Sequence, residues 1–142
     1  LEASTARALF IGRRALVLLG LPVLTADYDF WLAIDDIARF NDAAAAFDLS
    51  PTVSVDAARG RDRYVLENDE HVDVLVARSL STLDGQPIEF EHVWARREAA
   101  GVDGATVWIP SVDDLILLKQ VVPRAKDIED IRLLRILKEQ RS

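Results

Sequence analysis

Residues 27–32 read Asp27-Tyr28-Asp29-Phe30-Trp31-Leu32. This aromatic-rich run suits a strand. Alternation then sends Asp27, Asp29 and Trp31 to one face and Tyr28, Phe30 and Leu32 to the other. The apolar set can pack on helices, which leaves the two carboxylates on the more open face. Carboxylates at i and i+2 can hold divalent ions between themselves and a bound phosphate. The same pattern also describes a half-buried strand with an acidic outer face, so the motif alone does not decide. Trp31 could stack on a base, but packing is the commoner use of a strand tryptophan.

A second acidic strand lies at His71-Val72-Asp73-Val74-Leu75-Val76. Val72, Val74 and Val76 form its core set, and Asp73 faces the other way. An acid there is costly unless it is exposed, paired or bound to metal. If the two strands are neighbours, Asp27, Asp29 and Asp73 make a three-carboxylate site.

Around these runs the chain alternates strand and helix signals. Ala8 to Ile11 reads as a short buried strand stopped by Gly12, and Arg13 to Leu19 as a helix ended by Gly20 and Pro22. Asp35 to Phe47 is the clearest helix, and Asn68-Asp69-Glu70 is a hairpin turn between strands 63–67 and 71–77. The stretch 88–97 is ambiguous. Ala105 to Ile109 is a strand, and Ser111 caps a helix over 112–122 that Pro123 breaks. The last helix runs from Asp127 to about Glu139, with Ile128, Ile131, Leu134 and Leu137 as its buried stripe. The order predicts an α+β fold, a single mixed β-sheet packed with helices. It is expected to form one domain over residues 1–142, with C-terminal helices at about 111–139.

The chain has 142 residues, half of them hydrophobic, and a formal net charge of −7. That length supports a core without staples. It holds no cysteine, which excludes disulfide scaffolds, zinc ribbons, iron–sulfur sites and thiol nucleophiles. With two histidines, any metal would be a hard ion held by oxygens. Neither a P-loop nor a dinucleotide fingerprint is present. Residues 1–118 carry 10 basic and 20 acidic side chains, whereas 119–142 carry 7 and 4. A net-acidic body argues against broad binding to a nucleic-acid backbone. The basic end could neutralise a triphosphate or form a solvated helix face. The longest apolar stretch, 15–24, is too short to span a bilayer, and LEASTARALF lacks a signal-peptide pattern. No methionine is present, which leaves open whether residues precede Leu1. A cytoplasmic protein with no membrane partner is the expectation.

The run Ile11-Gly12-Arg13-Arg14-Ala15, Gly20-Leu21-Pro22, Thr25 and Asp27-Tyr28-Asp29-Phe30 resembles the opening of the nucleotidyltransferase superfamily, the DNA polymerase β-like fold. Asp73 matches the third acid on a later strand. Pro110-Ser111, Asp114-Leu115-Ile116, Lys119, Arg124, Lys126-Asp127 and Asp130-Ile131 resemble the close of small bacterial nucleotidyltransferases related to the AbiEii-type toxins. The resemblance covers roughly residues 8–34, 71–77 and 103–137. It implies that Asp27, Asp29 and Asp73 are catalytic and ligate Mg2+, with Mn2+ as the alternative. Gly12, Arg13, Arg14, Thr25, Lys119, Arg124 and Lys126 are the implied nucleotide-binding residues.

Two positions depart from that pattern. Arg13 stands where a glycine or serine is usual, so its guanidinium either grips a phosphate or obstructs the site. Val23 stands where the toxin-like relatives often carry arginine.

The expected activity is metal-dependent transfer of a nucleoside monophosphate from a nucleoside triphosphate to a hydroxyl of RNA, a protein or a small molecule. The alternative is a catalytically inactive module on the same fold, acting as an antitoxin or regulatory partner. A toxin–antitoxin partner protein belongs to both readings. A DxD glycosyltransferase is disfavoured, because the chain is short for a nucleotide-sugar domain plus an acceptor site.

Overall fold

The computed structural model describes residues 6–141. The N-terminal part of the signal-peptide reading, residues 1–5, lies outside them. The elements in chain order are β1 (Ala8–Ile11), α1 (Gly12–Leu18), β2 (Tyr28–Leu32), a 3-10 turn (Ile34–Asp36), α2 (Ile37–Ala45), β3 (Ser50–Pro51), α3 (Val55–Arg59), β4 (Arg63–Glu67) and β5 (His71–Leu75). They continue with β6 (Ser79–Ser81), β7 (Pro87–Glu89), α4 (Phe90–Ala95), β8 (Glu98–Val102), β9 (Ala105–Ile109), α5 (Val112–Leu118) and α6 (Ala125–Arg141).

The principal sheet has the order β1-β2-β5-β4-β3. Only β2 and β5 pair in parallel; the other ladders are antiparallel. This is the expected mixed α+β architecture. Beside it stand two small ladders, β6–β7 and β8–β9. The ambiguous stretch 88–97 resolves into the end of β7 and all of α4, both of which cover the sheet.

One face of the sheet carries Phe10, Phe30, Leu32, Val72, Val74, Tyr64 and Leu66 into the main core. There α2 adds Ile37, Phe40 and Ala44, spaced for one helix face. On the other face Leu9 and Trp31 meet Ile88, Phe90 and Val93. Trp31 is fully buried and its indole N–H donates to the Ala77 carbonyl at 2.8 Å. It is a packing residue. The face bearing the acids is therefore open only at the end that holds residues 27–29 and 73.

Several boundaries move. Strand β2 starts at Tyr28, so Asp27 sits on the irregular segment just before it. Helix α5 ends at Leu118, and its cap is Ser111, whose Oγ accepts from the Asp114 N–H at 3.2 Å. The expected apolar stripe of α6 is partly replaced. Asp127, Asp130 and Leu134 are its buried residues, while Ile128 is 69% exposed. Lys119 and Arg13 meet those acids, so burial there follows charge pairing.

Candidate active site

The parallel pairing of β2 and β5 sets Asp29 directly opposite Asp73. Residues opposite each other in a ladder share a face, so both carboxylates point into the same cleft. Asp27, one position outside the strand, lines it too. The cleft has a volume of about 460 Å³ and is also lined by Gly12 and by the charged residues Arg63, Lys119, Arg124, Lys126 and Asp127.

Gly12 belongs to the site through space alone. Its φ of +63° turns the chain from β1 into α1, a conformation that favours glycine. A Cβ added there would stand 2.9 Å from Asp29 Oδ2. The absence of a side chain lets the first turn of α1 press on the Asp29 carboxylate.

Burial raises the pKa of Asp29, and the neighbouring Asp73 and Asp27 push it further up; Lys119 and Lys126 oppose them. The site therefore holds excess negative charge in a half-buried place. Asp73 accepts a contact from His71, Nε2 to Oδ1 at 3.2 Å. Among the described residues, no three histidine, aspartate or glutamate side chains are already gathered for a metal ion.

The remaining sequence-derived residues divide. Lys126 lines the cleft and makes no hydrogen bond or ion pair with the described residues. Arg124 also lines it, and its backbone N–H and Nε both donate to Asp127 Oδ2, at 2.9 and 3.3 Å. That contact closes the start of α6. Lys119 reaches the cleft but is buried, with Nζ 3.0 Å from Asp130 Oδ2 and 3.6 Å from Asp127 Oδ1.

Arg13 turns away from the cleft lining. Its Nε and Nη2 donate to the two oxygens of Asp130, each at 3.1 Å, and Nη1 donates to the Leu24 carbonyl at 3.3 Å. The guanidinium is thus held by a fully enclosed carboxylate. Arg14 and Thr25 shape the approach to Asp27. Arg14 donates to the Asp27 and Thr25 carbonyls at 3.3 and 3.4 Å and lies 4.1 Å over the Tyr28 ring. The Thr25 hydroxyl accepts from the Asp27 N–H at 3.1 Å.

Arg63 is a cleft cation that the sequence reading missed. The signal was there: in Arg63-Tyr64-Val65-Leu66-Glu67, Tyr64 and Leu66 are buried, so Arg63 faces with Asp73.

The sequence matches no protein-family model and no curated protein. Solved structures do match in shape. TM1012 from Thermotoga maritima, assigned provisionally as a nucleotidyltransferase, aligns with TM-score 0.63 at 16% identity over 98% of this chain and 86% of its own. The lincosamide antibiotic adenylyltransferase LnuA, solved with lincomycin bound, aligns with TM-score 0.58 at 12% identity, covering 91% and 87%. The antibiotic-resistance factor ANT(2'')-Ia aligns with TM-score 0.59 at 17% identity, covering 91% and 73%. At these identities the likeness is one of fold, and the fold is that of nucleotidyltransferases.

Proposed function

We propose that the cleft transfers a nucleoside monophosphate from a nucleoside triphosphate to a hydroxyl acceptor. Asp27, Asp29 and Asp73 are its metal-holding, catalytic carboxylates. The observation that carries this reading is Asp29 set opposite Asp73 across two parallel strands, in a cleft that also gathers Arg63, Lys119, Arg124 and Lys126. The shared fold supports the same chemistry. Kinship with the AbiEii-type group, and a partner protein of the toxin–antitoxin kind, are further parts of the proposal and rest on the residue pattern at 110–134.

The donor set fits a hard divalent ion, magnesium or manganese: all carboxylate oxygen, with Asp29 raised by burial and by two like charges. When bound, such ions would supply charge to hold the triphosphate and to ease ionisation of the acceptor hydroxyl. The acceptor oxygen forms a bond to the α-phosphorus while the α–β anhydride bond breaks. Pyrophosphate leaves with the electron pair, and the hydroxyl proton passes to water at the cleft mouth.

Each of the chain's own residues has a part in this. Lys126 and Arg63 meet phosphate oxygens, and Arg124 stands behind them at the start of α6. Gly12 leaves room beside Asp29. Arg14 and Thr25 fix the segment that carries Asp27. Lys119 spends its charge on Asp127 and Asp130 and acts on the site through its field at Asp29.

Thermal unfolding tests the reading. Magnesium and a nucleoside triphosphate together should stabilise the protein more than either alone, by about 2.7 kcal/mol at a hundredfold excess over Kd. Identical melting curves at millimolar ligand would favour the catalytically inactive module on the same fold.

A further inference from the structure

Strand β5 changes character within one step of its own face. Leu75 follows Asp73 by two residues, so it stands about 7 Å further along on the same side. There the cleft becomes aliphatic: Leu75, Leu80 of β6, Leu118 at the end of α5, then Val121 and Val122. Leu75, Leu80, Leu118 and Val121 are partly buried and pack against the second core, which backs the wall with packed side chains. Val122 lies at the rim, 73% exposed. The Leu83 N–H donates to the Gln120 carbonyl at 2.8 Å, tying the β6–β7 hairpin to the end of α5 and keeping both sides of the wall in register.

We propose that this wall seats the acceptor, and that the acceptor is a small neutral or cationic molecule carrying its hydroxyl on an apolar face. The proposal rests on the nucleotidyl-transfer reading above and names the second substrate of that site.

Charge argues for this class over RNA. Asp27, Asp29, Asp73 and Asp127 line the cleft with Arg63, Lys119, Arg124 and Lys126, a balanced set. Lys119 and Arg124 are already bonded to acids of α6. Arg63 and Lys126 are left for a ligand, and the triphosphate claims both. A nucleic-acid acceptor needs several further cations for its phosphates, and residues 1–118 hold twice as many acids as bases.

Shape argues against the nucleobase as the wall's occupant. Bases are stacked on aromatic rings or on guanidinium planes. Trp31 is sealed in the core, Phe30 packs against Phe10 and Phe40, and the Tyr28 ring lies under Arg14. The wall itself is leucine and valine. Ligand sites of this make, apolar with a few convergent polar groups, suit small molecules.

Hexyl β-glucoside, glucose and a twelve-nucleotide RNA serve as probes, titrated into the full chain by calorimetry with and without magnesium and a non-hydrolysable triphosphate. The glucoside should bind at least about tenfold more tightly than glucose, since several buried methylenes separate them. The RNA should show no saturable binding. Val122→Asn, at an exposed position that leaves the core alone, should weaken the glucoside by about threefold, and Val121→Asn by about tenfold. Both variants should keep their triphosphate affinity within a factor of two.

RNA binding tighter than the glucoside would overturn the proposal. So would a loss of triphosphate affinity in the wall variants, which would give the wall to the base. Glucose binding as well as hexyl glucoside, with no effect of either substitution, would also overturn it. Failure of the triphosphate to bind the parent protein would remove the transfer reading alone, because the titrations without nucleotide still score the wall.

Discussion

Asp130 and Asp29 are the same residue type in neighbouring parts of the molecule, and the fold treats them in opposite ways. Asp130 is fully enclosed, yet it receives two hydrogen bonds from Arg13 and one from Lys119. Burial pushes its pKa up, but the hydrogen bonds and charges of Arg13 and Lys119 outweigh that, and the net direction is down. Asp29 is half-buried, and no hydrogen-bond donor among the described residues reaches its carboxylate. Burial, Asp73 and Asp27 raise its pKa. A buried acid answered from within is structure; one left among its own kind awaits something from outside.

Removing the anion of the first group should cost most. Asp130→Asn takes from the part-buried Arg13 its carboxylate partner and leaves the buried Lys119 with Asp127 alone, at 3.6 Å, and it should destabilise the fold by about 3 kcal/mol in urea unfolding. A loss below about 1 kcal/mol would mean that water already screens the cluster and that the contrast with Asp29 is one of degree. Because the folded pKa of Asp130 is depressed, its contribution is fully present above the ordinary carboxylate range. It is lost as pH falls through the depressed value.

Asp29→Asn should act in the opposite sense. The ligand-linked stabilisation, about 2.7 kcal/mol at a hundredfold excess of magnesium and triphosphate, should vanish. The ligand-free protein should become more stable at neutral pH, because the substitution removes a repelled charge. The folded pKa of Asp29 is raised, so its ionisation penalises the folded state. That penalty is absent below the ordinary carboxylate range and complete above the raised value. Melting curves of parent and variant should therefore converge at low pH and separate as pH rises. A variant less stable than the parent at neutral pH would show that Asp29 has a partner in the folded state.

These two residues also mark what could be read from the sequence. Alternation alone placed Asp29 and Asp73 opposite their core neighbours, because a strand's facing is fixed by its own residues. The pairing of β2 with β5 could not be read that way, since it depends on a crossover of nearly forty residues. The role of Asp130 was invisible for the same reason: its partner Arg13 lies 117 positions away. With that partner unknown, the apolar residues of α6 suggested a stripe through Ile128, and the structure turns Ile128 outward in favour of two acids. Gly12 stood in the expected motif, but its contact with Asp29 needed coordinates. Arg63 needed only the facing argument used for Asp73.

The contact between the two regions is Gly12, next in chain to Arg13 and pressed against Asp29. Gly12→Ala puts a Cβ 2.9 Å from Asp29 Oδ2 in a left-handed conformation. The conformation alone should cost about 1–2 kcal/mol. Displacement of the carboxylate should also weaken the response to magnesium and triphosphate. A stable Gly12→Ala protein with full ligand response would show that α1 and Asp29 are adjacent without being coupled.

The smallest effect concerns His71, the residue that engages the open cluster. Its Nε2 lies 3.2 Å from Asp73 Oδ1, and its Nδ1 lies 3.6 Å from Glu67. All three side chains are about half exposed, and exposed pairs of this kind are worth about 0–1 kcal/mol. His71→Ala should therefore leave urea unfolding nearly unchanged. The informative readout is magnesium titration in the presence of triphosphate. If His71 merely occupies an oxygen that a metal would take, the variant should bind magnesium as well as the parent or up to about threefold more tightly, the equivalent of half a typical surface contact. If the histidine instead holds Asp73 in its working orientation, magnesium affinity should fall while stability stays the same. That outcome would move Asp73 out of the unanswered group and closer to the condition of Asp130, an acid whose place is set by the protein's own cation.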